Sequence, residues 1–329
     1  MRKEYFNKRI KRLIDISEKN AAFIITNPAT IYYLSGIYPK DRATLVINNN
    51  TAMLFLPFPE KKEVGNVQLK AIHEFKPTLK AIREEGVRIA GIDETSMSVY
   101  LYRRVSKFFK TMDISSMIFE LRAIKDKNEI ETIKNSLRYT RKLFDEIKNN
   151  VYGRREEEIE RDIKIFALRN RLSISFDPII ACDKHSANVH HVPTKKTIKA
   201  SSNILIDCGV RYKHYCTDIT RTICNHMTKN IYANIRNIQS EIIDSIKDGS
   251  LGKDIESLYE TLMKRDNFKI AHKCYHGIGL EVHEPLPEVI KKDMILCVEV
   301  GAYFPGRFGV RIEDMIRVRK NKAEVLSNF

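Results

Sequence analysis

The feature that most restricts this chain is the placement of single acidic residues inside apolar, strand-like runs of its second half. Asp207 closes the run Ile204-Leu205-Ile206, and Glu299 stands inside Ile295-Leu296-Cys297-Val298-Glu299-Val300. Glu313 lies in Gly309-Val310-Arg311-Ile312-Glu313-Asp314-Met315, where Arg311, Glu313 and Met315 share one strand face. A carboxylate in such a place is costly unless it is paired or bound to a metal. An ion pair of Arg311 with Glu313 is the local answer, but it leaves the other acidic residues unexplained. Asp218 lies in Cys216-Thr217-Asp218-Ile219-Thr220-Arg221-Thr222, on a face shared with Thr220 and Thr222. The stretch from Gly209 to Tyr215 can turn the chain back, so that neighbouring strands bring Asp207 and Asp218 together. Close carboxylates repel, and a cation between them removes the repulsion. Taken alone, the pair reads equally well as two turn or capping aspartates.

His276 and His283 bracket the turn Gly277-Ile278-Gly279-Leu280, whose glycines let the backbone pass close to something. Four carboxylates and an imidazole make an oxygen-rich set that suits Mn2+, Co2+, Fe2+ or Zn2+. Four carboxylates overcharge a single ion. Two ions sharing ligands, ~3.5–4 Å apart, balance the charge and can activate a water.

The remaining sequence supplies the frame. Residues 1–120 read as α/β, with strands expected at Ala22–Thr26, Leu45–Ile47, Met53–Leu56 and Val87–Ile92. Asn27-Pro28 reads as a turn, and Asn48-Asn49-Asn50 as the loop of a hairpin. Residues 121–329 read as α+β. A helical stripe runs through Ile130, Ile133, Leu137, Phe144 and Ile147 behind a cap at Asp126 or Asn128. Further helices are expected around Ile159–Phe166, Ile231–Ile246 and Ile255–Met263, among strands at Ile204–Ile206, Cys216–Cys224, Ile295–Val300 and Gly309–Val318. Hydrophobic residues make up 43% of the chain, enough for a core. No apolar run approaches the ~20 residues of a membrane span, and the charged N-terminus does not read as a signal peptide. The six cysteines form no C-x-x-C pair. A soluble cytoplasmic protein with reduced thiols is expected. The net charge of +15 comes from scattered lysines, which argues for solvated faces rather than for nucleic-acid binding.

The order of these residues resembles the pita-bread metallopeptidases, the family of methionine aminopeptidase, prolidase, Xaa-Pro aminopeptidase and creatinase. The match runs from about Leu121 to the C-terminus, and Asn27-Pro28 to Gly36 resembles the start of the creatinase-like N-terminal domain of the prolidase branch. The resemblance implies a smaller creatinase-like α/β domain at 1–120, then a pita-bread catalytic domain at 121–329. It implies that Asp207 binds one metal and that Asp218 and Glu313 bridge two. His276 and Glu299 would complete the second metal, with Glu299 also handling a proton. His283 would orient the substrate or stabilise the tetrahedral intermediate. His190 matches the family's other active-site histidine, with His191 as the competing choice. Arg311 would support the metal-binding strand. The implied reaction is hydrolysis of the bond preceding proline in a small peptide, by a homodimer formed through the N-terminal domain.

This sequence departs from the family at His214 (usually Gly), Thr217 (Ser or Gly), Val189 and Val300 (Pro), and Tyr275 (small). None of these removes a ligand, but Tyr275 and His214 are expected to reshape the pocket. The alternatives are an Xaa-Pro aminopeptidase acting on longer peptides, and a non-catalytic binding module on the same scaffold.

Overall fold

A computed structural model describes residues 2–15, 21–49 and 51–329, with side chains from residue 6 onward. The chain divides into two compact units, Met1–Arg122 and Ala123–Phe329.

The first unit is built on one seven-stranded sheet. Strands β1 (Ala21–Ile25), β2 (Thr44–Asn48), β3 (Thr51–Leu56), β4 (Glu63–Val64), β5 (Val67–Ala71), β6 (Ile89–Ile92) and β7 (Lys110–Asp113) take the order β4-β5-β3-β2-β1-β6-β7. Helices α1 (Arg2–Asp15), α2 (Pro28–Ser35), α3 (Phe75–Glu84), α4 (Val99–Val105) and α5 (Ser115–Ala123) are interspersed with them. Every residue of β1 and β2 is buried, which explains their nearly unbroken apolar sequence. β2 and β3 form the expected antiparallel hairpin. Its turn places Asn49 at φ +44°, and Asn50 lies outside the described residues. Phe75, Leu79 and Ile82 of α3 share a core with Ala22, Ile24, Val46, Phe55 and Ala90. Asn27-Pro28, expected as a turn, is instead the start of α2. Asn27 Oδ1 accepts from Thr30 N at 2.8 Å, and Pro28 takes the first helical position, where its missing N–H costs nothing.

The second unit begins with α6 (Lys127–Ile147) and α7 (Glu156–Arg169). Asp126 caps α6 and Glu129 bonds back to the Asp126 N–H, a reciprocal capping box. There follow β8 (Ser173–Ile174), β9 (Ile179–Cys182), β10 (Ile204–Cys208), β11 (Val210–Tyr212), β12 (Tyr215–Cys216), β13 (Ile219–Ile223), α8 (Lys229–Ser245) and α9 (Gly252–Arg265). The chain ends with β14 (Tyr275–Gly277), β15 (Ile295–Phe304), β16 (Phe308–Val318) and β17 (Ala323–Val325). The strand expected over Cys216–Cys224 is thus broken at Thr217-Asp218. The strands form three antiparallel sheets, ordered β13-β10-β9, β12-β11-β8 and β14-β15-β16-β17.

The period-two alternation of β15 and β16 separates core from site. Leu296, Val298, Val300, Val310, Ile312 and Ile316 join a core with Ile235, Ile238 and Ile242 of α8 and Ile255, Tyr259 and Leu262 of α9. Cys297, Glu299 and Tyr303, with Arg311, Glu313 and Met315, therefore point to the opposite face. No helix among the described residues is long and apolar enough to cross a membrane.

Candidate metal centre

Strand register brings the carboxylates together. β15 and β16 pair with Glu299 directly opposite Glu313. β14 lies on the other side of β15, with His276 opposite Cys297. In the neighbouring sheet Asp207 of β10 lies opposite Thr220 of β13, and Asp218 immediately precedes β13. Two threonines join the sheets. Thr222 Oγ1 donates to Arg311 O at 2.8 Å and accepts from Arg311 N at 3.0 Å, while Thr220 Oγ1 donates to Glu313 Oε2 at 3.1 Å.

The result is a converging set of charges. His276 Nε2 lies 3.5 Å from Glu313 Oε1, 3.8 Å from Glu299 Oε1 and 3.9 Å from Asp218 Oδ2. His276 Nδ1–H donates to Gly277 O at 3.1 Å, which turns the Nε2 lone pair towards the carboxylates in the neutral ring. Like charges directly opposite one another in a sheet are destabilising. Asp207, Asp218 and Glu313 are 8%, 6% and 2% exposed. Asp207 Oδ1, Asp218 Oδ1 and Glu313 Oε1 are buried without a hydrogen-bond partner. Buried polar atoms are rarely left so. Divalent cations answer both the repulsion and the orphaned oxygens, so these residues fit the metal that their chemistry calls for.

Protons take the strain when no cation is bound. Burial, reinforced by the charges of Glu313, Asp207 and Glu299, pushes the Asp218 carboxyl well above its ordinary range. Burial also raises Asp207, against the pull of Arg311. Glu299 is pushed up to about 8 by burial and by the Glu313 charge. Burial opposes ionisation of Glu313 too, but His276, Arg311 and Thr220 hold it below its usual value. His276 is raised: burial works against its charge, and Glu313 outweighs it.

Arg311 is only 2% exposed and does not pair with Glu313 as the sequence allowed. Its side chain reaches the neighbouring sheet instead, where NH2 donates to Asp207 Oδ2 at 2.6 Å and Nε to Thr220 Oγ1 at 3.2 Å. The Glu313 Oε2 that it might have met is held by Thr220. Arg311 NH1 donates to Tyr303 OH at 2.9 Å and to Val189 O at 3.4 Å. Tyr303 OH in turn lies 2.9 Å from His272 Nε2, while His272 Nδ1 donates to Lys273 O at 2.8 Å. With its Nδ1–H so engaged, a neutral His272 accepts a hydrogen bond from the Tyr303 hydroxyl at Nε2. Burial lowers the His272 pKa and favours that neutral form.

His272 and Tyr303 were missed from the sequence, although a signal was present. Tyr303 is four residues beyond Glu299 on the same strand, and His272 is four residues before His276. The first spacing shares a face of β15; His272 lies in a bend ahead of β14, where even spacing carries less weight.

The two glycines between the histidines make room for Glu284 rather than for a ligand. A Cβ on Gly277 would lie 2.6 Å from Glu284 O, and one on Gly279 would lie 2.7 Å from the Glu284 carboxylate. Glu284 forms a buried ion pair with Lys125 at 2.8 Å. This tight return sets the His283 ring 4.4 Å from that of His276. Asp207, Asp218, His283, Glu299, Arg311 and Glu313 line one cleft of about 540 Å3, together with His190, His191 and His272. His190 is exposed, whereas His191 is buried and donates from Nε2 to Glu156 Oε2 at 2.9 Å. The expected effects of Tyr275 and His214 on the pocket are not seen. Tyr275 packs against the helical core and His214 occupies a turn at φ +71°; neither lines the cleft.

Comparison with known proteins places this geometry. The family profile described as metallopeptidase family M24 matches residues 131–320, and that of the creatinase/prolidase N-terminal domain matches residues 9–124. The Xaa-Pro dipeptidase of Pyrococcus horikoshii is 29% identical over 348 residues, covering 98% of each chain. Among solved structures, an Xaa-Pro dipeptidase from Bacillus anthracis superposes with a TM-score of 0.89 at 27% identity, over 98% of each chain. An X-Pro aminopeptidase from Thermotoga maritima gives 0.88 at 25% identity, over 97% of each.

Proposed function

Because the chain belongs to metallopeptidase family M24, we propose that it hydrolyses the peptide bond preceding proline, with dipeptides as its substrates, using two divalent cations held by Asp207, Asp218, His276, Glu299 and Glu313. The carrying observation is the convergence of these carboxylates around three orphaned, buried oxygens in a cleft wide enough for a short peptide. The similarity to Xaa-Pro dipeptidases over nearly the full chain supports the proline specificity.

Asp207, Asp218, His276, Glu299 and Glu313 would hold the cations between them. Mn2+, Co2+, Fe2+ and Zn2+ all suit this set. When bound, the cations supply Lewis acidity to the scissile carbonyl and to the attacking water. Glu299 accepts the water proton and delivers it to the leaving nitrogen. His283 and His190 face the same cleft and donate to the developing oxyanion or orient the peptide. Arg311 holds Asp207 in place from behind.

The domain boundary is placed at 120/121, a reading supported by the division of the chain after Arg122. A homodimer through the N-terminal domain is supported by the exposed Val99 and Tyr100 of that unit, and sedimentation tests it. A cytoplasmic setting is supported by the six free cysteines.

The deciding experiment supplies metal-stripped protein with Mn2+ or Co2+ and offers Met-Pro beside a longer Xaa-Pro-Xaa peptide. Cleavage of the dipeptide alone is expected. Cleavage of the longer peptide assigns the chain to the aminopeptidases instead, a reading that the Thermotoga neighbour favours. Cleavage of neither, with metal bound, refutes the proline specificity.

A further inference from the structure

We propose that Glu156, His185 and His191 form a separate divalent-cation site that takes zinc at the rim of the cleft, sharing no ligand with the peptidase centre. Glu156 opens α7 and is fully buried, with 0% exposure. Two imidazoles converge on its carboxylate. His185 Nδ1 lies 3.0 Å from Oε1 and 3.1 Å from Oε2, and His191 Nε2 lies 2.9 Å from Oε2. The two rings lie with centroids 4.4 Å apart and planes tilted by 34°, and one donor atom from each of the three residues falls within 4.8 Å of the others.

A hydrogen-bonded hub is the plainer account of such a cluster, and three features carry it further. The carboxylate does not depend on the imidazoles for its place. Cys182 N donates to it at 2.8 Å, Thr194 N at 3.1 Å and Thr194 Oγ1 at 2.8 Å. Carboxylates that bind metals are themselves hydrogen-bonded in this way, by donors that fix their orientation. The second feature is composition. Two imidazoles and one carboxylate are a zinc set that leaves a coordination position open. Here His191 lines the cleft and the His185 side chain is 23% exposed, so water or a small anion can complete the shell. The third is electrical. Neutral imidazoles need only shift a proton to the far ring nitrogen to turn a lone pair inward, so two N–H donors become two ligands without loss of charge. When the imidazoles turn in this way, the Glu156 carboxylate keeps the donors Cys182 N, Thr194 N and Thr194 Oγ1.

The placement gives the site a consequence. It would tie the start of α7 to the segment 183–194, which carries His190 into the cleft. Zinc bound here fixes that segment.

The test is equilibrium dialysis of the metal-stripped full chain against zinc alone, comparing wild type with His185→Asn and His191→Gln. Each variant is expected to bind one equivalent fewer than wild type. His185→Asn, supplied with Mn2+, is expected to keep its peptidase activity, because His185 lies outside the peptidase centre. The same comparison is made in an Asp218→Asn/Glu313→Gln background, where one equivalent should remain and should vanish with His185→Asn. Equal zinc content in wild type and both single variants overturns the proposal. So does loss of that equivalent with His226→Asn in place of His185→Asn, since His226 is an exposed histidine outside the cluster. Neither result bears on proline specificity, which is read separately from peptide cleavage.

Discussion

Arg311→Met is the perturbation that most directly tests how the centre is held. The guanidinium is 2% exposed and donates to Asp207, Thr220, Tyr303 and Val189. Methionine fills much of the volume but leaves the Asp207 carboxylate buried without its cation. Removing one partner of a buried ion pair costs about 3–5 kcal/mol. At ~2–4 °C per kcal/mol for a unit of this size, the melting temperature of metal-stripped protein should fall by roughly 6–20 °C. Three controls separate charge from packing. Asp207→Asn added to Arg311→Met should recover ~1–3 kcal/mol, because no charge is then stranded. Lowering the pH should shrink the deficit, since Asp207 can escape by taking a proton. Supplying metal should shrink it too, because a cation beside Asp207 replaces the lost one. Thermal melts of the four proteins, with chelator and with Mn2+, read all of this. A shift under ~2 °C in metal-stripped Arg311→Met, or a double variant that loses the sum of the two single losses, refutes the reasoning.

Three further outcomes follow from the same geometry. Asp218→Asn should lose bound metal and activity together, with metal affinity falling by more than the ~10–100-fold that loss of an outer hydrogen-bond partner costs; metal analysis beside Met-Pro hydrolysis checks it. His283→Ala should lower kcat by roughly 10^2-fold with metal content unchanged, and unchanged turnover would remove His283 from the mechanism. Metal-stripped protein should lose stability as pH rises. Glu299 and Asp218 have raised pKa values in the fold, so the folded state holds protons that the unfolded chain has released. Their contribution is fully present below the ordinary carboxylate range and is lost as pH rises through about 8 for Glu299. Melting temperatures that fall across this range with chelator, and not with Mn2+, are the expected result.

The sequence showed where carboxylates were out of place, but not how they were resolved. Isolated acids within apolar strands can be read locally, because strand alternation decides which face each occupies. Glu299 and Glu313 were found on that ground. The partner of Arg311 could not be read, because a long flexible side chain on β16 can reach either its own strand or β10, and only the packing of two sheets selects Asp207. Asn27-Pro28 shows the same limit at shorter range. Asparagine before proline serves a turn and a helix start equally, and the buried residues of α2 that follow decide between them. His214 stands where the family usually has glycine. It holds φ +71°, a conformation costly for a side chain, which gives a backbone reason for glycine at that place. Glu156 gave no signal, because its place in Arg155-Glu156-Glu157-Glu158 is that of an ordinary acidic first turn.

Each of the five acidic and imidazole residues comes from a different stretch of chain, and together they span two sheets. Thr220, Thr222 and the Arg311–Asp207 pair already join those sheets. Two cations held by Asp207 and Asp218 from one sheet and by Glu299, Glu313 and His276 from the other would make the same joint a second time. Binding to a site that the unfolded chain does not contain is folding free energy. The two joints should therefore be partly redundant. Metal should stabilise Arg311→Met more than it stabilises wild type, and the excess measures how much of the joint the arginine supplies alone. Equal stabilisation of both would mean that Arg311 and the cations act on separate parts of the unit, and Asp207 would then not be a shared element of ion pair and metal site.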